Sequence, residues 1–292
     1  MSFHSSGNHR ADSPYGENSA DGGSADAPAG DDAPGEAEPA APTPAAPGGA
    51  EPKKSRRDED PDAVLQFADA PVASLDELRA AMTWAFAAEE VTPELLDRFA
   101  AHAQYVLEGN RVMNLTAIVA PKEVAAKHYL DSWRTTRLLS LLGRSVLDLG
   151  TGAGFPGMPI AFAEPQARVC MLDSTHKRID FVARGIEKFG LRNATAVAGR
   201  AEDHLARNKY DIVLMRAVSS IRENVRLLRK VRHSHKDLVM LKGPSWSREA
   251  RAAEREGERL GFRLDTVWEH TLPGDLGARA FLVFRAPGGH GN

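Results

Sequence analysis

The segment Val146–Gly157, VLDLGTGAGFPG, constrains the fold more than any other part of this 292-residue chain. An apolar run ends there in a turn with glycines at 150, 152 and 154, and Pro156 stands where a helix can start. Glycine lets the backbone turn sharply and approach a bound molecule closely. In an open α/β sheet, ligands collect at such a turn, at the carboxyl end of the first strand.

Two classes of cofactor suit the turn. Gly152, Gly154 and Gly157 satisfy GxGxxG, and Asp173 closes the next apolar run, 21 residues after Gly152. That spacing is the dinucleotide pattern, with the acid set for ribose hydroxyls. Asp148, two residues before the first glycine, instead suits a cationic ligand such as S-adenosylmethionine, because a carboxylate beside a pyrophosphate is repelled. Both cofactors carry an adenosine ribose, so Asp173 does not separate them. At this level an NAD(P)-dependent oxidoreductase and a methyltransferase both remain open, as does a turn with a structural role only.

The surroundings specify the sheet. Apolar runs at 145–150, 167–173, 194–199, 210–216 and 237–243 read as buried strands. Helical stretches separate them, among them 175–190 and the charged 247–260. Such alternation implies a doubly wound, mostly parallel sheet with right-handed crossovers. Runs at 262–270 and 279–285 flank a short loop with Pro273, Gly274 and Gly277, predicting an antiparallel hairpin at the edge. Before the sheet, Ser74 and Glu77 form a capping box, Thr92-Pro93 starts a second helix, and a third runs from about 121 to 142. Leu95, Leu96, Phe99, Ala103, Val106 and Leu107 share one stripe of the second helix.

Between Met1 and Ala63 there is no Val, Ile, Leu or Trp, so that stretch has too little apolar surface to offset chain entropy and is expected to be disordered. The basic cluster within 53–62 reads as a solvated linker. The expected organisation is a tail at 1–63, a helical section at 64–143, a cofactor-binding core at 144–286 and a flexible end at 287–292. The chain has 37 basic and 40 acidic side chains; residues 1–63 hold 5 and 13 of them, so the remainder is basic by five. Such a balance suits an anionic partner without demanding one. The single cysteine, Cys170, excludes an internal disulfide and fits a reducing, cytoplasmic setting. No ligand-spaced Cys or His cluster predicts a metal, and no apolar run is long enough to span a bilayer. Arg200, Ala201 and Glu202 follow the third strand run and face the same crevice as Gly150 and Asp173, where an adenine edge would sit. Glu202 and Asp203 also suit a helix start.

Taken in order, these motifs resemble the bacterial small-subunit ribosomal RNA guanine-N7 methyltransferases, the glucose-inhibited division protein B family. The resemblance rests on Asn114–Thr116 (NLT), His128–Ser132 (HYLDS), the glycine loop through Pro159, Leu172–Ser174 with Lys177 and Arg178, Gly199–Asp203, Arg216-Ala217, Leu241–Gly243 and the Arg279 run. It covers roughly residues 75–286. It implies a class I methyltransferase (Rossmann-like) fold behind N-terminal helices, S-adenosylmethionine as donor, and a guanine of 16S-type RNA, free or in a 30S-type particle, as acceptor. It places Gly150, Phe155, Ala201, Glu202 and Arg216 at the donor and Asp173 near its ribose; Asp148, Gly152 and Gly154 complete the expected pocket.

Guanine N7 has a lone pair and no proton, so it can attack a sulfonium methyl without a general base. Positioning and exclusion of water would then carry the chemistry. Arg200 and Arg216 are the expected positioning residues, reaching guanine O6 or a phosphate. Asn114, His128, Asp131 and Lys242 are expected on the acceptor side, with helical packing as the competing role for the first three and solvation for Lys242. Tyr129 and Phe155 are candidates to stack on a base, Trp133 to fill the core. A non-catalytic RNA-binding protein on the same fold is the remaining alternative, and a monomer is expected.

Overall fold

Capping chemistry sets the first helices. In the computed structural model, which describes residues 66–285, Ser74 and Glu77 close a capping box on α1 (Leu75–Ala85). The Thr92 side chain accepts from Leu95 N at the start of α2 (Pro93–Met113), which ends at Asn114 in the left-handed conformation. The third helical stretch begins as α3 (Pro121–Val124), widens into a π-helical turn over Ala125–Leu130, and resumes as α4 (Asp131–Leu138). The expectations for residues 1–63 and 287–292 lie outside the described residues.

The seven apolar runs form one sheet. Its strands are β1 (Ser145–Leu149), β2 (Arg168–Asp173), β3 (Ala194–Ala198), β4 (Tyr210–Arg216), β5 (His235–Lys242), β6 (Arg263–Thr271) and β7 (Ala278–Arg285). Their order is β3-β2-β1-β4-β5-β7-β6. The first five are parallel; β7 is antiparallel to both β5 and β6. Five further helices connect them: α5 (Gly157–Ala163), α6 (His176–Lys188), α7 (Ala201–Leu205), α8 (Ile221–Leu228) and α9 (Trp246–Arg259). The expected hairpin is present, with β7 as its inner strand.

Alternation along each strand divides the apolar side chains between two faces. Val239, Leu241 and Phe281 join Leu78, Phe99, Tyr129 and Phe162 in a core beneath α1, α2 and α5. Leu238, Met240 and Leu282 meet Val225, Leu228 and Ala253 of α8 and α9 on the other face. Each such fully buried side chain stabilises the fold by about 1.5–3 kcal/mol. The helical section before residue 144 therefore shares its core with the sheet. Cys170 is buried in the second cluster, as a structural thiol would be. The winding direction reverses at β1, where β2 lies on one side and β4 on the other, and this opens a crevice above the carboxyl ends of β1 and β4.

Candidate active site

The glycine loop occupies that crevice. Gly150, Gly152 and Gly154 have φ of 75°, 59° and 98°, a region that side chains with a Cβ rarely adopt. A Cβ on Gly152 would meet nothing within 4 Å, so this backbone faces open space. Gly157, at the start of α5, is packed instead: a Cβ there would lie 2.5 Å from Met171 Cγ and 2.8 Å from Asp148 Oδ2.

Asp148 is fully buried beneath the loop. Its Oδ2 accepts from Thr151 Oγ1 at 2.5 Å and from Gly157 N at 2.8 Å. Its Oδ1 is buried without a hydrogen-bond partner among the described residues. Burial pushes its pKa up to about 6, against the pull of the Thr151 and Gly157 hydrogen bonds and the Arg216 charge. A buried carboxylate with one unpartnered oxygen puts negative potential beneath the loop, which suits a cationic ligand above it. Asp173, at the end of β2, accepts from Gly152 N at 3.0 Å and Thr175 N at 2.9 Å, with Arg178 3.8 Å away. Each of its oxygens keeps a second lone pair for a ligand hydroxyl. The uncovered Gly152 backbone and the Asp173 carboxylate thus fit the ribose of S-adenosylmethionine, and the Asp148 charge buried beneath the loop suits its sulfonium. Ala201 is buried at the start of α7, while Arg200 and Glu202 are exposed beside it. The Arg200 guanidinium makes no hydrogen bond or ion pair with the described residues, so it stands free at the rim.

On the acceptor side the π-helical turn carries most of the geometry. The His128 ring stacks on Phe155 at 4.5 Å and 14°. The Arg216 guanidinium lies 5.2 Å from the same ring centroid, and its Nη1 donates to Lys127 O at 3.0 Å. Burial lowers the Arg216 pKa; Asp131 and Asp148 oppose that shift, and Arg279 adds to it. His128 Nε2 pairs with Thr116 Oγ1 at 3.0 Å, whereas Nδ1 is buried with no partner among the described residues. Burial, aided by the nearby Arg216 charge, holds this histidine neutral, with its pKa well below the usual range. Asp131 Oδ1 is 3.3 Å from His270 Nε2 on β6.

Several expected roles change with this placement. Phe155 and Tyr129 are buried among Phe99, His102 and His128, so their rings fill a core and present no face to a base. Trp133 is buried against Phe86, as expected. The Lys242 ammonium donates to Ser219 O at 2.6 Å and Glu249 Oε2 at 2.9 Å, tying the loop after β4 to α9. It is neither solvated nor free for a phosphate. Asn114 caps α2, and its Oδ1 accepts from Gln66 N at 3.0 Å. The fold therefore gathers Asp148, the glycines, Phe155, Asp173, His128, Asp131 and Arg216 around one crevice, and sets Asn114 and Lys242 in the framework beside it.

One supporting residue escaped the sequence reading. Asn110, buried on α2, accepts from Thr116 N at 2.8 Å and donates to Thr116 O at 2.9 Å. It holds the NLT segment against His128. Its only sequence signal is a polar residue on the stripe defined by Val106 and Leu107.

Residues 95–271 match the family model for rRNA small subunit methyltransferase G, a span that runs from α2 to the end of β6. The chain belongs to that family. A relative from Carboxydothermus hydrogenoformans, named ribosomal RNA small subunit methyltransferase G, is 32% identical over 200 residues, 67% of this chain and 85% of the relative. Namesakes from Desulforamulus reducens and Deinococcus deserti are 36% and 37% identical, over 64% and 66% of this chain and 80% and 81% of their own lengths. Family membership resolves the choice that the glycine loop left open between hydride and methyl transfer. The matched span contains Asp148, the three loop glycines, Phe155, Asp173, His128, Asp131 and Arg216, and Arg279 lies beyond it.

Proposed function

We propose that this chain transfers a methyl group from S-adenosylmethionine to N7 of a guanine in small-subunit ribosomal RNA. The observation that carries the reading is the buried, half-partnered Asp148 carboxylate beneath a loop whose Gly152 backbone faces open space, in a chain of the methyltransferase G family. When bound, the donor supplies an electrophilic methyl on sulfur. Gly152 allows close approach to it in a turn that the positive φ of Gly150 and Gly154 shapes, Asp148 sets a negative charge beneath it, Asp173 receives ribose hydroxyls, and Ala201 with Glu202 borders the base. Arg216, held by Lys127 O and Phe155, orients the acceptor side, and Arg200 at the rim meets O6 or a phosphate. An arginine donating to N7 would occupy the reacting lone pair, so its place is at O6 or phosphate. No general base is needed, and the neutral His128 and buried Phe155 keep water from the transfer site.

The test is methyl transfer from labelled S-adenosylmethionine to small-subunit RNA or particles that lack the modification, with the product nucleoside identified. The expected product is 7-methylguanosine, lost in Arg216→Ala and in Gly150→Asp. A side chain at Gly150 would strike Val218 Cγ2 at 2.7 Å. Donor binding without transfer to RNA would overturn the acceptor, and absence of donor binding would overturn the enzyme.

A further inference from the structure

The exposed side of α9 carries Arg248, Arg251, Arg255 and Arg259. At 3.6 residues per turn these four fall within roughly 80° of arc and extend along about 16 Å of helix. Ala253 and Gly257, the buried positions, lie on the opposite side. The arrangement is thus an arginine ridge pointing away from the core.

A ridge of this kind is ordinarily neutralised within its own helix, by glutamates three or four residues away. Here α9 has four glutamates for four arginines. Glu254 and Glu258, exposed three residues beyond Arg251 and Arg255, come within 4.0 Å of neither guanidinium, and the other two are turned to other partners. Glu249 receives Lys242 at 2.9 Å and Ile221 N at 3.2 Å. Glu256 binds Arg226 of α8 through both oxygens, at 2.7 and 2.9 Å, with Arg222 3.5 Å away. Arg259 keeps a distant contact with Glu256 at 3.7 Å. Arg248, Arg251 and Arg255 have no carboxylate within 4.0 Å among the described residues. Just past the end of α8, Arg229 and Lys230 are also exposed.

The ridge is also well placed. The helix starts just beyond Gly243–Ser245, at the carboxyl end of β5, so Arg248 stands at the crevice end of the sheet and the others lead away from it. The Lys242 bridge fixes that first turn to Ser219, three residues beyond Arg216.

We infer that the α9 ridge of Arg248, Arg251 and Arg255 is a docking track for the RNA phosphate backbone flanking the methylated guanine. The inference rests on the proposed RNA substrate. Guanidinium groups pair with phosphate oxygens in a fork, and contacts of this kind fix register without reading sequence. A length of 16 Å spans a few nucleotides. A protein partner with an acidic surface is the competing occupant.

The experiment compares the wild type with R248A/R251A/R255A on unmethylated small-subunit RNA and on assembled particles, between 50 and 200 mM salt. Three lost phosphate contacts should weaken RNA binding by about 10- to 100-fold and reduce the slope of log K against log salt by about 2. KM for RNA should rise in step, with kcat at saturating RNA and calorimetric S-adenosylhomocysteine binding unchanged. Arg168→Ala with Arg192→Ala, exposed at the amino ends of β2 and β3, should change none of these. If the triple variant folds poorly, the three single alanine variants should each remove about a third of the slope change. Unchanged slope and KM would overturn the track. A defect on particles with normal binding to naked RNA would assign the ridge to a protein and also overturn it. A wild type that binds RNA with strong salt dependence yet transfers no methyl would defeat the functional reading while leaving the ridge measurable.

Discussion

Asp148 and Gly152 show how single positions divide the work of the crevice. Gly152 faces open space at φ 59°, so Gly152→Ala should cost only about 1 kcal/mol of stability, from left-handed strain. Its methyl group would nonetheless enter the cofactor space, and donor affinity should fall at least tenfold by calorimetry. Near-normal affinity would mean the donor lies elsewhere. Asp148 carries the opposite trade. Its pKa is about 6 when folded and 3.8 by default, so it contributes stability that is present below pH 4 and lost as pH rises through 6. Asp148→Asn keeps an acceptor for Thr151 and Gly157 while removing the charge. It should raise the stability of the free protein at pH 8 by on the order of 3 kcal/mol at most, and weaken donor binding at the same pH. Urea unfolding at pH 4.5 and 8 checks the first part, and a variant less stable at pH 8 would contradict it.

Among the elements, the π-helical turn is where structure and function meet. It places His128 on Phe155 and turns Lys127 O toward Arg216, and Asn110 supports it from α2 through Thr116. Asn110→Ala leaves the Thr116 N–H and carbonyl without their partner, at a cost of about 2 kcal/mol. Faster hydrogen exchange over residues 114–118 and a lower kcat should accompany the loss, and unchanged exchange would show that the loop holds itself. The strands and their flanking helices were readable because buried parallel strands are short apolar runs and Ser, Thr and Pro mark helix starts. The widened turn was not readable: HYLDS has the apolar spacing of any helix, and the extra residue per turn leaves no trace in residue type. The same limit hid the fate of Phe155 and Tyr129. An aromatic ring beside a glycine loop looks like a stacking platform until the helices that cover it are in place. Likewise Lys242 looked free because its partner Glu249 lies in the next helix, where charge alone suggests solvent.

For the molecule as a whole, buried neutral histidines set the acid limit. Burial pushes His102 down to about 3, His235 to about 4 and His128 well below its ordinary value of 6.5. Groups depressed on folding contribute stability present above pH 6.5 and lost as pH falls, because the unfolded chain takes up their protons. Asp148 acts in the reverse sense over part of this range and offsets some of that uptake. Stability should therefore fall steeply from pH 6.5 to 5, and His102→Gln should make that slope shallower in chemical denaturation. A flat profile would exclude buried neutral imidazoles. Residues 1–63 lie outside the family match, which begins at residue 95, and their removal should leave methyl transfer intact. A large fall in kcat/KM on deletion would give the tail a part in the reaction.

The order of strands also governs how such a chain is made. Because β7 lies between β5 and β6, β6 has no partner in the sheet until the last strand has been synthesised. The sheet therefore closes last at β7, which inserts between two waiting edges. A chain lacking β7 keeps its whole glycine loop and every helix of the described residues, yet exposes two unpaired strand edges that invite association with other chains.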